Sequence, residues 1–288
     1  MRNKRKKIAG TGALTISLIL LAFSISYSAV ADAQNGARGR QRAHNKIDWT
    51  NEDDIKAEIT FGREVAARII GRYSLYKNDN LTRYCNLVAR ALAENSNRPE
   101  LQFKVGILDT PTVNAFAAPG GYIFITKGAI EAMENEAELA GAIAHEIMHI
   151  SQKHIVKELN IKGKSGSTEA SFGKMVGGGG ETMQVAFTQA VDNAMNVLFQ
   201  NGYAQKDERE ADSLGIVLAA SLGYDPGALA NLFRRMEKSD ANKVSSLIKL
   251  HPAFSKRIQW VEETIQNEGL NGGEYRVESK RFKKFTKG

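Results

Sequence analysis

The stretch that decides the reading of this chain is "AIAHEIMHISQKH", residues 142–154, which places three of the five histidines within ten positions. Ala140, Ala142, Ile143, Ala144, Ile147 and Ile150 make the surrounding helix apolar almost all round. A helix of that kind is buried, and an unpaired imidazole inside it is costly. His145 and His149 lie four residues apart, so their side chains leave one face a single turn apart. That spacing lets two ring nitrogens converge on one ion at about 2.0–2.1 Å. Glu146, beside the first histidine, can reach a water at that ion without ligating it. Five residues fitting H-E-x-x-H arise by chance in roughly one chain in a hundred of this length, so the burial of the helix is what sharpens the assignment.

A tetrahedral catalytic zinc takes three protein ligands and leaves one position open. "DEREAD", residues 207–212, offers the third on a second helix. Glu208 and Asp212 share a face; Glu208 is the expected ligand, and Asp212 the acceptor for the free N–H of a ligating histidine. Glu210 projects from another face, toward solvent. His154, five residues past His149, is turned away from the ligand face and reads as structural, and His44 reads as inert. His251, followed by Pro252, is a second catalytic candidate. It either donates to the oxyanion that develops in the reaction or occupies zinc's fourth position at rest.

Outward from this centre, helical spacing runs over 52–76 and 81–92. "LQFKVGILD" alternates, and "TVNAFAAPGGYIFITKG" gives two strand-like runs around Pro119-Gly120-Gly121, together predicting a small antiparallel meander. Asn135 with Glu138 is a capping-box start for the histidine helix. Further helices are predicted over 181–200, 207–222 and 255–267, with "GYDPGAL" restarting a helix at Asp225 as N-cap, and "EYRVESKRF" as a terminal strand. The fold class is therefore α+β, predominantly helical, with a small sheet beside the HEIMH helix.

The N-terminus differs in kind. "MRNKRKK" carries five positive charges, and residues 8–31 contain no charged residue. Ala31-Asp32-Ala33 follows, with small residues where a signal peptidase reads. Residues 1–33 are expected to be a cleaved signal peptide and 34–51 a Gly/Arg-rich linker, leaving 52–288 as one domain. An uncleaved anchor is the alternative. Cleavage lowers the net charge from +7 to +3, too mild for nucleic acid, and restricts membrane contact to the periphery. The single cysteine, Cys85, excludes an internal disulfide and a Cys-rich metal site.

In order and spacing, "NLVARALAENSNRPEL", "VNAFAAPGGYIFITKGAI", "NEAELAGAIAHEIMHISQKH", "NGYAQKDEREAD" and "HPAFSKRI" resemble the HEXXH-plus-glutamate zinc endopeptidases of the CAAX prenyl protease and HtpX type. Within that family it resembles the soluble periplasmic branch that enhances β-barrel assembly, and residues 52–288 are expected to form the protease domain without that branch's repeat domain. The resemblance implies a zincin-like metalloprotease domain with one Zn2+ per chain, held by His145, His149 and Glu208. Glu146 is then the base and Asp212 the outer-shell carboxylate. It implies that Tyr122, Ile123, Phe124, Ile125 and Thr126, with Asn114 before them, form the strand to which an extended substrate adds. It further implies unfolded or misfolded envelope proteins as substrates and outer-membrane assembly machinery as a partner.

Two other classes are compatible with parts of this pattern. One is a chaperone-like binding protein on a zincin scaffold, against which the intact Glu146 argues. The other is a zinc hydrolase of a non-peptide bond, against which the strand block argues. Residues 162–180 hold seven glycines and few apolar residues; with the 181–200 helix they are expected to form a lid opposite His251.

Overall fold

Apolar residues four apart turn Glu52–Tyr73 (α1) into a helix that buries Ala57, Phe61, Val65 and Ile69 along one stripe. The structure is a computed structural model and describes residues 52–159, 181–239 and 241–287. The expected signal peptide, linker and His44 lie outside the described residues, as does the glycine-rich 162–180 segment. Among the described residues, no helix is long and apolar enough to cross a membrane.

Asn78 caps Asp79–Ala93 (α2), its Oδ1 accepting from the Leu81 N–H at 3.0 Å. Cys85 sits on the buried face of this helix, and burial pushes its thiol up to about 12, far from any thiolate chemistry.

Three strands follow: Lys104–Leu108 (β1), Ala115–Ala118 (β2) and Tyr122–Thr126 (β3). Their order is β1-β3-β2. β2 and β3 pair antiparallel across Pro119–Gly121, where Gly120 and Gly121 take φ of 75° and 96°. β1 pairs with β3 in parallel, Lys104 opposite Tyr122. The sheet is therefore mixed, and the expected antiparallel meander is corrected. The 109–114 connection carries β2 past the place beside β1, and β3 fills it.

Lys127–Ala132 (α3) leads to Glu136–Ser151 (α4), the histidine helix. Asn135 is its N-cap, with Oδ1 accepting from the Glu138 N–H at 3.0 Å. Glu138 accepts in return from the Glu134 N–H at 2.9 Å and from the Asn135 side-chain amide at 2.8 Å, rather than from the Asn135 backbone N–H. A turn of helix, His154–Glu158 (α5), follows α4. Glu181–Asn196 (α6) ends in a π-helical turn over Val197–Asn201. Gln205–Ser221 (α7) then crosses α4, and Gly215 sets how closely. A Cβ there would stand 3.0 Å from the His145 backbone N, so the two helices meet nearly backbone to backbone. Replacing Gly215 by valine should cost about 1–3 kcal/mol by overpacking. Thermal melting of the metal-free protein would register it as a lower Tm.

Ala228–Glu237 (α8), Ala241–Leu250 (α9) and Phe254–Asn267 (α10) complete the helical layer. Asp225 does not cap α8 directly; its Oδ1 accepts from the Gly227 N–H at 2.8 Å, and the helix starts two residues later than its sequence suggests. The expected terminal strand is instead a single bridge, Tyr224 to Arg276, followed by Ser279–Thr286 (α11). Phe282 and Phe285, three apart, face the core together; Phe285 stacks on Tyr84 with centroids 4.4 Å apart. Arg281 binds the buried Glu136, which also accepts from the hydroxyls of Tyr84 and Tyr224 at 2.7 Å each. Burial alone would raise the Glu136 carboxyl, but these donors hold it below its ordinary value.

Candidate metal centre

α4 and α7 each bring one face to a common point. His145, Glu146 and His149 on α4 and Glu208 and Asp212 on α7 are all buried. The Nε2 atoms of His145 and His149 are 2.9 Å apart. Glu208 Oε2 lies 3.8 Å from the first and Oε1 3.6 Å from the second. One ligand atom from each of the three residues falls within 4.8 Å of the others.

The surroundings fix how these groups present themselves. His145 Nδ1 is 2.9 Å from Asp212 Oδ1. Arg257 Nη2 is also near, at 3.3 Å, but is itself committed to Asp212, whose other oxygen accepts from Arg257 Nε at 2.9 Å. The shorter contact makes His145 Nδ1–H the donor to Asp212 and turns the Nε2 lone pair to the centre. Burial would raise the Asp212 carboxyl, yet Arg257 and His145 hold it well below the carboxylate range. Burial pushes the His145 and His149 pKa values down, the latter strongly, so both rings are neutral. Glu208 is pulled below its ordinary value by His251 and His145 against the opposing effect of burial, and is ionised.

Two neutral imidazoles and one carboxylate are the donor set of a three-ligand zinc site. A second observation supports the fit. Glu208 Oε1 is buried with no hydrogen-bond partner, and an orphaned carboxylate oxygen is expensive unless a cation takes it up. Glu146 stands beside the ligands, its carboxyl raised to about 8 by burial and then by the charge of Glu208.

Other expected site residues fall differently. His251, just after α9, places Nδ1 2.7 Å from Glu208 Oε2, so it closes on the same carboxylate. The expectation that a substrate adds to Tyr122–Thr126 is corrected. β3 is the central strand, paired with β1 along its whole length and with β2 over most of it. Its backbone has no edge to offer; the edge strands are β1, bridged on its outer side by Leu75 at Leu108, and β2, Ala115–Ala118, the edge that lies beside the centre. β2 runs beside the centre, and Ala115, Ala117, Glu146, His149 and His251 line one narrow cleft. Asn114, at the start of β2, donates from Nδ2 to Ser246 Oγ on α9. The π-helical turn after α6 reaches the same strand, Phe199 packing on Phe116 with centroids 4.7 Å apart.

His154 is not turned away. α4 stops at Ser151, Lys153 takes the left-handed conformation with φ 53°, and His154 swings back to place Nδ1 2.9 Å from His149 Nδ1. Glu210, expected in solvent, is half-buried and 3.1 Å from His154 Nε2. Sequence reading assigns no role to Arg257 or Tyr203. The first could have been sought as the cation a buried Asp212 requires. The second stacks on the His149 ring with centroids 4.2 Å apart and has no sequence signal beyond its place before α7.

A buried donor set that could hold a cation, with an acid next to it and a strand edge alongside, fits a metallopeptidase. The chain belongs to peptidase family M48, whose profile matches residues 79–265, more than half its length. It is similar to the beta-barrel assembly-enhancing protease of Escherichia coli, 23% identical over 269 residues, covering 89% of this chain and 52% of that protein. It is 27% identical over 197 residues to the metalloprotease LoiP of Escherichia coli, covering 67% of this chain and 74% of LoiP. It is 28% identical over 188 residues to the mitochondrial metalloendopeptidase OMA1 of Arabidopsis thaliana, covering 63% and 36% of the two chains. The chain spans about half the length of the beta-barrel assembly-enhancing proteases it matches.

Proposed function

We propose that this chain is a zinc-dependent endopeptidase of the cell envelope that cuts extended or misfolded polypeptides. The observation that carries the reading is the partnerless Glu208 Oε1 facing two neutral histidine nitrogens, with Glu146 beside them. His145, His149 and Glu208 would hold the zinc, which would supply Lewis-acid chemistry, acidifying water and polarising a carbonyl. Glu146 takes the proton of the attacking water and returns it to the leaving amine. Burial and the charge of Glu208 push its carboxyl up to about 8, and a cation held by the neighbouring ligands would favour the ionised form that serves as a base. His251 takes its place at the rim, released from Glu208 to donate to the developing oxyanion. His251 closes on Glu208, and Phe199 packs on Phe116 of β2. The π-helical turn and the α9 end must move for a chain to reach β2.

The envelope assignment rests on the N-terminal signal pattern and on similarity to proteins named for β-barrel assembly. Extended substrates follow from β2: strand addition uses main-chain hydrogen bonds, which only an unfolded segment can offer. Beside His145 and Glu146 opens a largely apolar pocket lined by Val113, Ile125, Ala142, Leu229, Met236 and Leu247. A chain laid on β2 places one side chain there, so scissile bonds should be flanked by a large apolar residue. Such residues are what misfolded proteins expose. The purified chain with one equivalent of zinc should cleave an unfolded model protein next to Leu, Met or Phe. A chelator should stop cleavage and zinc restore it. Mapped product termini with no apolar preference would remove the pocket from the reading, and chelator-resistant cleavage would remove the metal.

A further inference from the structure

His149 and His145 differ in what stands behind them. His145 gives its outer proton directly to a carboxylate, Asp212, at 2.9 Å. Behind His149 stands another imidazole. Its Nδ1 is 2.9 Å from His154 Nδ1, and both rings are buried.

We propose that His154 and Glu210 form a relay that fixes the tautomer and ring orientation of His149, making them positioning residues for the metal centre. This rests on the reading of His149 as a zinc ligand. Unlike the two Nε2 atoms, which a cation would join, the His149 and His154 Nδ1 atoms at 2.9 Å must share one proton: two N–H groups would clash and two lone pairs would repel. His149 turns Nε2 to the centre, 2.9 Å from His145 Nε2, and as a ligand that nitrogen carries no proton. The neutral His149 ring is therefore protonated at Nδ1 and donates. His154 Nδ1 accepts, so its own proton sits on Nε2. The partner there is Glu210 Oε2 at 3.1 Å, with Asp207 Oδ1 a further negative charge at 3.9 Å. Every ring nitrogen of His149 and His154 then has one defined role.

The backbone is built for this. An unbroken helix would carry the residue five positions after His149 round to another face. The left-handed Lys153, φ 53°, is a conformation a lysine rarely adopts, and it sits where the turn must bring His154 back. The Tyr203 ring, stacked on His149 and 6.1 Å from His154, closes the other side of this pocket of rings. The two ligands are thus supported unequally. A buried carboxylate raises the basicity of His145, while His149 meets a neutral acceptor whose polarisation depends on the half-buried Glu210.

Nitrogen-15 NMR of the zinc-loaded protein tests the relay. Expected are a His154 ring protonated at Nε2 and a scalar coupling across the hydrogen bond from His149 Nδ1 to His154 Nδ1. In chelator competition, His154→Ala should bind zinc about 10–100-fold more weakly than the parent. Glu210→Gln, a change at a half-exposed position that leaves folding alone, should weaken zinc binding by a smaller factor and reduce the coupling. A His154 ring protonated at Nδ1 overturns the proposal. Zinc affinity within twofold of the parent in Glu210→Gln, with the coupling unchanged, overturns it too, whether or not His154→Ala folds. Failure of the parent chain to bind zinc would instead overturn the underlying site.

Discussion

Glu146→Gln keeps the fold and the zinc and lowers turnover of an unfolded protein by roughly 10²–10⁴-fold, the range proton transfer by a positioned side chain contributes. Glutamine has the shape of glutamate, and Glu146 makes no contact with the metal-facing atoms that a neutral amide would break. What the amide cannot do is accept the proton of an attacking water. The buried position sharpens the effect. A site where burial and the charge of Glu208 hold the carboxyl near 8 is one where a neutral side chain fits without penalty, so the variant should melt no lower than the parent. Steady-state cleavage, elemental analysis and a thermal melt on the same preparation separate the outcomes. Turnover within tenfold of the parent, at full zinc occupancy, would remove Glu146 from the mechanism. Lost zinc would show instead that Glu146 supports the ligands.

What was legible in the sequence is what a helix enforces locally. Residues four apart share a face, so "HEIMH" and "EREAD" each announce a functional face before any tertiary contact is known. The structure brings His145, His149 and Glu208 within 4.8 Å of one another. Pairings between distant segments were not legible. Alternation in "KVGIL" and "YIFIT" marks strands, but nothing in either says that β3 enters between β1 and β2. The substrate strand is misplaced for that reason alone. His154 is missed because helical periodicity was extended through Lys153, and a lysine in the left-handed region leaves no trace in composition. At the C-terminus, "EYRVESKRF" alternates well enough to suggest a strand. The two phenylalanines at 282 and 285, three apart, were the better signal.

Arg257 is the residue whose loss should be most damaging to the fold around the centre. Its guanidinium is buried and clamps both oxygens of Asp212, 45 residues earlier in the chain. It also lies over the Phe233 ring at 4.2 Å. Removing one partner of a buried pair strands the other charge, at about 3–5 kcal/mol. For a domain of this size Arg257→Ala should therefore lower Tm on the order of 10 °C. Zinc affinity should fall with it, since an uncompensated Asp212 takes up a proton and no longer accepts from His145 Nδ1. The double variant Arg257→Met with Asp212→Leu separates the two effects. Replacing a buried ion pair by apolar groups of similar volume is often neutral for stability, so the metal-free double variant should recover most of the lost Tm. It should still bind zinc about 10–100-fold more weakly, because His145 has lost the acceptor that fixes its tautomer. If the double variant regains parental zinc affinity along with its stability, Asp212 serves the fold alone. His145 would then be oriented by its place on α4, where Gly215 lets α7 press against the helix backbone.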